Sequence, residues 1–415
     1  MERVRNFGKS TFASLKIRNY RLYFIGQAVS VSGTWMQGVA QSWLVLTLTH
    51  SGTALGLLAA AQFLPILLLG PWAGLMVDRI SKRKMLVFTN GASAILAMLL
   101  GVLIAGDWVK LWMVFVIASL SGLINAFDNP ARQAFAMELV GRENVTNAIS
   151  LNSAQFNLAR AIGPALAGGL IVFVGLAPCF IINAFSFVAI LLALFFMNKA
   201  ELQPSLLATQ SKGQLREGFK YIRGNPTLKN TLIMMAVIGT FAYEFSVALP
   251  LLAEFTFKGG APAYAALTSA MGVGSVIGAF YTASRKKVSL SLLVQAAIFM
   301  GLSMLLVSVT RTINQAILAM VIVGIFSINL TSLGNVTLQM ESPPAMRGRV
   351  MSLWAMVFLG STPIGGPIIG FLGQHLGPRW GIATGGIAAI LAAGWGLWAL
   401  TRMPQKQSVA PNDMV

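Results

Sequence analysis

The sequence predicts an all-α membrane protein in which twelve transmembrane helices form two pseudo-symmetric bundles of six. Three observations carry this prediction. Hydrophobic residues make up 56% of the 415 and charged residues only 10%, a balance foreign to a water-soluble globule. The apolar residues gather in twelve stretches, each near the roughly 20 residues a helix needs to cross about 30 Å of hydrocarbon. One long polar stretch, 198–228, divides these twelve into six and six.

The stretches run over 22–48, 53–77, 85–105, 109–130, 146–173, 178–197, 229–253, 263–284, 289–309, 314–338, 347–373 and 380–401. Lipid offers no partner to a free backbone amide, and the alternating ten-residue pattern of barrel strands is absent, so each must cross as a helix. Organisation follows: a first bundle over 1–197, a linker over 198–228, a second bundle over 229–403 and a polar tail over 404–415. Within the linker, Leu215, Phe219 and Ile222 share one helical face while Lys212, Arg216, Lys220 and Arg223 lie elsewhere. That is the pattern of a short amphipathic helix lying on a membrane surface.

The net charge of +18 would suggest nucleic acid in a soluble domain, but its distribution argues for orientation instead. With the N-terminus in the cytoplasm, 25 of the 30 Lys and Arg fall on cytoplasmic segments. Lys110, Lys258, Arg311 and Arg379 fall outside, and Arg160 lies within a span. This is the positive-inside bias, and it expects both termini in the cytoplasm and contact with anionic lipid, not nucleic acid. The basic N-terminal segment lacks the short apolar region and cleavage site of a signal peptide, so the first span is expected to be retained. The lone Cys179 excludes an internal disulfide, and two distant histidines offer no metal cluster. "FGKST" (7–11) mimics the end of a phosphate-binding loop, but Arg3 stands where glycine is required. No cofactor, metal or enzymatic cluster is expected, and energy for transport must come from a gradient.

The halves echo each other. Gly74 matches Gly278 at an offset of 204, each followed by a basic cluster. An offset of 202 pairs Ser150 with Ser352, Leu151 with Leu353, Phe156 with Phe358, Gly163 with Gly365 and Gly168 with Gly370. Two duplicated bundles around a central axis are an architecture of secondary transporters.

The stretch "GLMVDRISKRK" (74–84) resembles the loop between the second and third spans of the major facilitator superfamily, Gly-x-Leu-Ala-Asp-Arg-x-Gly-Arg-Arg/Lys. Gly74, Asp78, Arg79, Lys82 and Arg83 stand in its positions, Ser81 replaces a glycine, and the echo has Thr282 for the aspartate. The resemblance extends over essentially the whole chain. It implies that Asp78 and Arg79 belong to a gate at the cytoplasmic seam between the halves, Asp78 meeting the start of the eleventh span, with Arg132 as a second partner. Gly74 is expected to let neighbouring helices approach closely. The bland reading is a positive-inside anchor. Segments 33–49, 62–79 and 125–170 resemble the bacterial branch that contains enterobactin, macrolide and multidrug exporters. "GPALAGG" (163–169) approximates that superfamily's antiporter motif with one residue too many, and "GPIIG" (366–370) has the shorter spacing in the other half. Gly163, Pro164, Gly366 and Pro367 are expected at kinks or close packings.

In this superfamily spans 1, 4, 7 and 10 line the cavity. Span 1 carries a polar stripe, Gln27, Ser30, Thr34, Gln37 and Gln41, at helical spacing. Asn125 and Asn129 on span 4, Tyr243 on span 7, and Thr331 and Asn335 on span 10 complete the candidate substrate cavity. Hydrogen bonds between helices account for such stripes equally well, at about 1 kcal/mol per pair. Charges inside spans are more telling, since each costs about 2.5–3.5 kcal/mol on insertion scales. Glu244, near the middle of span 7, is the first candidate for proton coupling and Arg160 on span 5 the second, though Gln155 and Asn157 beside Arg160 fit a structural polar network equally well. Asp128 is assigned to gating with Arg132 or Arg79. The expected function is proton-coupled export of amphipathic, drug-like small molecules by alternating access, in a bacterial inner membrane and as a monomer. A dedicated siderophore or lipid-like metabolite exporter is the alternative, and a non-transporting receptor or enzyme the alternative of another class.

Overall fold

The computed structural model describes residues 12–203, 214–283, 289–358 and 360–402. Every regular element among them is a helix. The first bundle consists of α1 (Arg18–Thr49), α2 (Gly52–Arg79), α3 (Lys82–Ala105), α4 (Leu111–Gly141), α5 (Glu143–Val174) and α6 (Ala177–Phe195). The linker carries α7 (Gln214–Gly224). In the second bundle one span is interrupted: α8 (Pro226–Ala242), α9 (Phe245–Leu251) and a π turn over Leu252–Thr256. Then follow α10 (Gly260–Ala283), α11 (Leu290–Val309) and α12 (Ile313–Met340). A second interrupted span, α13 (Pro344–Phe358) and α14 (Thr362–His375), precedes α15 (Pro378–Arg402).

Among the described residues eleven segments are long and apolar enough to cross a membrane. The twelfth span is α1, whose 32 residues are ample in length but whose polar stripe dilutes its apolar character. Helix starts obey local chemistry. Ser51, Asn225 and Ser289 accept hydrogen bonds from the backbone N–H three residues on, and Thr312 forms a capping box with Gln315. The corner between α4 and α5 rests on Gly141 alone, at φ 69° and ψ 179°, a region essentially closed to other residues. Hydropathy placed the end of span 4 near residue 130, yet α4 continues about three turns further. Its extension carries Arg132 and Glu138, which bury against the first bundle instead of ending the helix.

Each bundle packs within itself, α1 on α5 and α6, α3 on α6, α10 on α12 and α11 on α15. The bundles meet along two seams, α2 with α14 and α5 with α10. These seams are exchanged by the pseudo-two-fold, and the internal repeat is visible in side chains. Trp35 and Phe156 form an edge-to-face pair at 5.5 Å and 70°. Tyr243 and Phe358 form its counterpart at 4.7 Å and 68°. Gly163 lies against the backbone of Ser32 and Met36, and Gly365 against that of Thr240 beside the Glu244 side chain. Spans 1 and 7 are thus related by an offset of 208, spans 5 and 11 by the 202 read from the sequence.

The hydrophobic core shows how the bundles are tilted. One cluster joins both, but its first-bundle members, such as Met36–Leu46, Leu55, Leu100, Val114 and Ala167, all come from the end opposite the basic loops. At the basic end the first bundle has a separate core around Tyr20, Tyr23, Phe135 and Leu194. The second bundle has its own small cluster there, Ile222, Leu228, Leu338, Val350 and Leu353. The halves are therefore sealed at the far end and part toward the basic end, leaving a central cleft. Helix α7 docks on α13 through an ion pair between Glu217 and Arg349 and through Ile222, so part of its apolar face meets protein while Phe219 stays exposed.

Candidate functional site

The mid-depth of the cleft coincides with the break between α8 and α9, which leaves Tyr243 and Glu244 outside regular helix. Breaks of this kind in transporters free backbone and side chains at the membrane midplane. The two side chains diverge. The Tyr243 hydroxyl donates to the Ser327 carbonyl at 2.7 Å and accepts from the Ser327 hydroxyl at 3.0 Å. Glu244 instead presses into a notch on α14. A Cβ built on Gly365 would lie 3.1 Å from its Oε1 and one on Gly366 would lie 3.5 Å from its Oε2. The residue is 2% exposed, and neither oxygen accepts a hydrogen bond. Thr362 is a polar neighbour of the carboxyl without meeting hydrogen-bond geometry.

Pseudo-symmetry sharpens the oddity of this carboxyl. The mate of Glu244 is Met36, 1% exposed in the core of the first bundle. An apolar side chain serves packing there, so the acid at 244 is not demanded by the fold. The mate of Thr362 is Arg160. One bundle thus carries a lone mid-depth cation and the other a lone mid-depth acid.

Arg160 lies on α5 with its guanidinium 5.6 Å from the centroid of the Trp35 ring. One terminal nitrogen points across the seam at the Met271 sulfur, 3.5 Å away, and Nε is buried with no acceptor. Tyr243 is within its electrostatic reach. Among the described residues Arg160 and Glu244 form no ion pair.

A second cluster sits at the basic end of the first bundle. Asp128, 3% exposed, accepts from Thr89 at 2.6 Å and from Asn90 at 3.3 Å, both on α3, and pairs with Arg132 one turn on. With its amide oxygen turned inward, Gln27 accepts from the same guanidinium. Asp128→Ala is expected to lower the thermal stability of purified protein by roughly 1–3 kcal/mol, because it removes the carboxylate partner of Arg132 and one acceptor each from Thr89 and Asn90, leaving them Gln27 and the Leu86 carbonyl. An unchanged melting temperature would show that the cluster holds nothing together.

The span-1 stripe divides between structure and cleft. Gln27 and Ser30 are buried in the bundle, and Gln37 accepts from Asn183 of α6 at 2.6 Å. Thr34 is exposed with its hydroxyl folded back on the Ser30 carbonyl, while Gln41 is buried with its side-chain nitrogen unpartnered. Thr331 donates to the Ser327 carbonyl at 3.1 Å, and Asn335 accepts from Gln339. Asn125 is half-buried and Asn129 exposed.

At 74–84 the outcome differs from expectation in part. A Cβ on Gly74 would meet nothing within 4 Å, so this glycine permits no close approach in the present conformation. Among the described residues the two bundles have separate cores at that end, and none comes within 4 Å of this position. Lys82 pairs with Glu138 at 3.7 Å and Arg83 donates to the Leu194 carbonyl at 2.7 Å, both within the first bundle. Arg79 is exposed, and the Asp78 side chain lies outside the described residues. α5 runs on through Pro164 and α14 through Pro367. The breaks fall elsewhere, so Gly163 and Gly366 serve close packing where kinks were also expected.

The closed far end was not foreseen. Gly52 and Gly56 of α2 lie backbone to backbone with Gly370 and Gly366 of α14. Beyond them Gln374 accepts from the Ser51 hydroxyl at 2.8 Å and the Thr53 N–H at 3.0 Å. Trp43 stacks on Tyr264 across the halves at 6.5 Å. The signal existed in the paired small-xxx-small spacings, 52 with 56 and 366 with 370, which bring helices close in membranes.

Known proteins agree with this architecture. The staphyloferrin A transporter of Staphylococcus aureus is 25% identical over 351 residues, covering 83% of this chain and 87% of that one. The multidrug efflux pump Tap of Mycolicibacterium fortuitum is 25% identical over 364 residues, again covering 83% and 87%. Among solved structures, a bacterial homologue of the lysosomal transporter Spinster, inward-facing and unoccupied, superposes with a TM-score of 0.70 at 14% identity, covering 92% and 96%. The transmembrane secretion effector profile matches residues 9–414, so this chain belongs to that family of major facilitator transporters.

Proposed function

We propose that this secondary transporter exports an amphipathic small molecule in exchange for protons, with Glu244 as the proton carrier. The observation that supports the reading is the Glu244 carboxyl, buried without a hydrogen-bond partner in the Gly365–Gly366 notch, at the core position where the other bundle places Met36. An isolated buried charge is expensive, and taking up a proton removes it. The far seam closes over the protonated acid. Loss of the proton toward the cleft leaves a charge that only an opened seam can hydrate. Substrate entering from the cleft leaves on the far side as Glu244 regains a proton there.

The positive-inside bias supports a cytoplasmic basic end, and so a cytoplasmic opening of the cleft, in a bacterial inner-membrane protein. The transporter acts as a monomer in contact with anionic lipid. Gating at the basic end falls to Asp78 and Arg79, with Asp128 and Arg132 steadying the first bundle beneath them. Thr34 and Asn129, both exposed, are the polar candidates left for substrate.

Proteoliposomes carrying a pH gradient test the reading with ethidium, erythromycin and 1-pyrenebutyrate as cationic, macrolide and anionic amphiphiles. At least one is expected to move against its gradient with proton counterflow, and a protonophore should abolish both. Binding with no passage of any of them would favour a receptor. The siderophore alternative draws on the relative's named cargo and is met if a siderophore alone is transported, saturably.

A further inference from the structure

We infer that Arg160 and Trp35 form an oxyanion subsite, so that the preferred substrate is an amphipathic anion with a flat apolar body. The inference rests on the cleft being the substrate cavity of the proposed transporter. A guanidinium keeps its charge in any protein environment and offers five donors. Here Nε is buried without an acceptor, and one terminal nitrogen faces only the Met271 sulfur, a weak one. No carboxylate of the described residues pairs with it. Glu244, the acid at similar depth, is turned away into the notch of α14.

The surroundings fit the rest of such a ligand. The Trp35 ring lies beneath the guanidinium at 5.6 Å, held edge-on by Phe156, which is 51% exposed. Opposite, Tyr243 meets Phe358 edge-to-face and Phe358 stacks on Trp354, whose buried indole N–H also lacks an acceptor. Both bundles thus present aromatic faces, and the unpartnered groups of Arg160 and Trp354 are donors. A carboxylate, sulfonate or phosphate supplies acceptors in the planar geometry a guanidinium grips. A cation gains nothing from these donors and is repelled by the charge. In the pseudo-symmetric position the second bundle has Thr362, so the subsite is one-sided and orients its ligand.

Binding to purified transporter in nanodiscs tests this without requiring transport. The probes share one aromatic body: 1-pyrenebutyrate, 1-pyrenebutanol and a pyrenebutyl-trimethylammonium salt. Wild type should bind the anion at least about tenfold tighter than the alcohol, a difference of about 1.4 kcal/mol. Arg160→Met should erase that preference, and Arg160→Lys should restore part of it. Displacement by decanoate or by decyl phosphate then names the group, a carboxylate metabolite or a phosphate-headed lipid. Equal binding of anion and alcohol by wild type, or a preference that survives Arg160→Met, overturns the inference. If Arg160→Met does not fold, the wild-type comparison and Arg160→Lys still decide it. Anion preference without gradient-driven transport would instead defeat the proposed coupling and leave the subsite standing.

Discussion

Glutamine at position 244 is expected to abolish gradient-driven accumulation while leaving substrate exchange intact. Glutamine matches the size of the protonated acid and fits the Gly365–Gly366 notch, but it has no proton to release. A pH difference of one unit is worth 1.36 kcal/mol per proton, enough for about a tenfold substrate ratio across proteoliposomes at one proton per cycle. In Glu244→Gln that ratio should collapse to about one, to within measurement. Counterflow of labelled substrate at equal pH should continue near the wild-type rate. Glu244→Met, which installs the residue of the symmetric position, should also raise thermal stability by roughly 1–3 kcal/mol, because a buried carboxyl without partners is replaced by an apolar core residue. An undiminished substrate ratio in Glu244→Gln would place coupling elsewhere. A fall in stability in Glu244→Met would show the carboxyl to be a structural asset after all.

Valine at Gly56 should prevent the far end from closing. Its added carbons would meet the backbone of Gly366 and Pro367, the latter's Cα 2.7 Å from the first of them, and backbone in a packed helix pair cannot step aside. Overpacking of this kind costs about 1–3 kcal/mol, here charged to one conformation only, which shifts the closed population by roughly 5- to 150-fold. Cysteines at positions 51 and 374 report on it, since Ser51 and Gln374 are hydrogen-bonded in the closed state at 2.8 Å and the lone native Cys179 can be replaced. In an otherwise wild-type chain a short bis-methanethiosulfonate should bridge them through two disulfides, and the bridge should stop transport until it is reduced. With Gly56→Val the bridging yield should fall about tenfold or more. Equal bridging in both would mean that this seam stays shut throughout the cycle.

How much of the site could be read from the chain differs residue by residue. Glu244 and Arg160 stood out because a charge at mid-span is costly in lipid, a fact that requires no neighbours. The hydrogen bonds of the polar stripes could not be read. Gln37 and Thr331 have the same period and polarity as cavity residues, yet the first is held by Asn183 and the second bonds back to its own helix. Periodicity gives a face, and only the neighbouring helix decides whether that face is wet. Gly74 illustrates the converse, a glycine in a recognisable motif whose partner is absent from this conformation.

The sequence alone determined the all-helical crossing, the two halves and the family, because burial of backbone in lipid and the duplication are written in composition and offset. Helix breaks were settled by tertiary structure. Tyr243–Glu244 interrupts an apolar run with no proline at the break, while Pro164 and Pro367 sit in helices that continue. Packing of α14 against α2 and α8 also decided which end is sealed and why Glu244 faces a notch and not Arg160. These are differences between pairs of surfaces, and a one-dimensional pattern holds only one surface at a time.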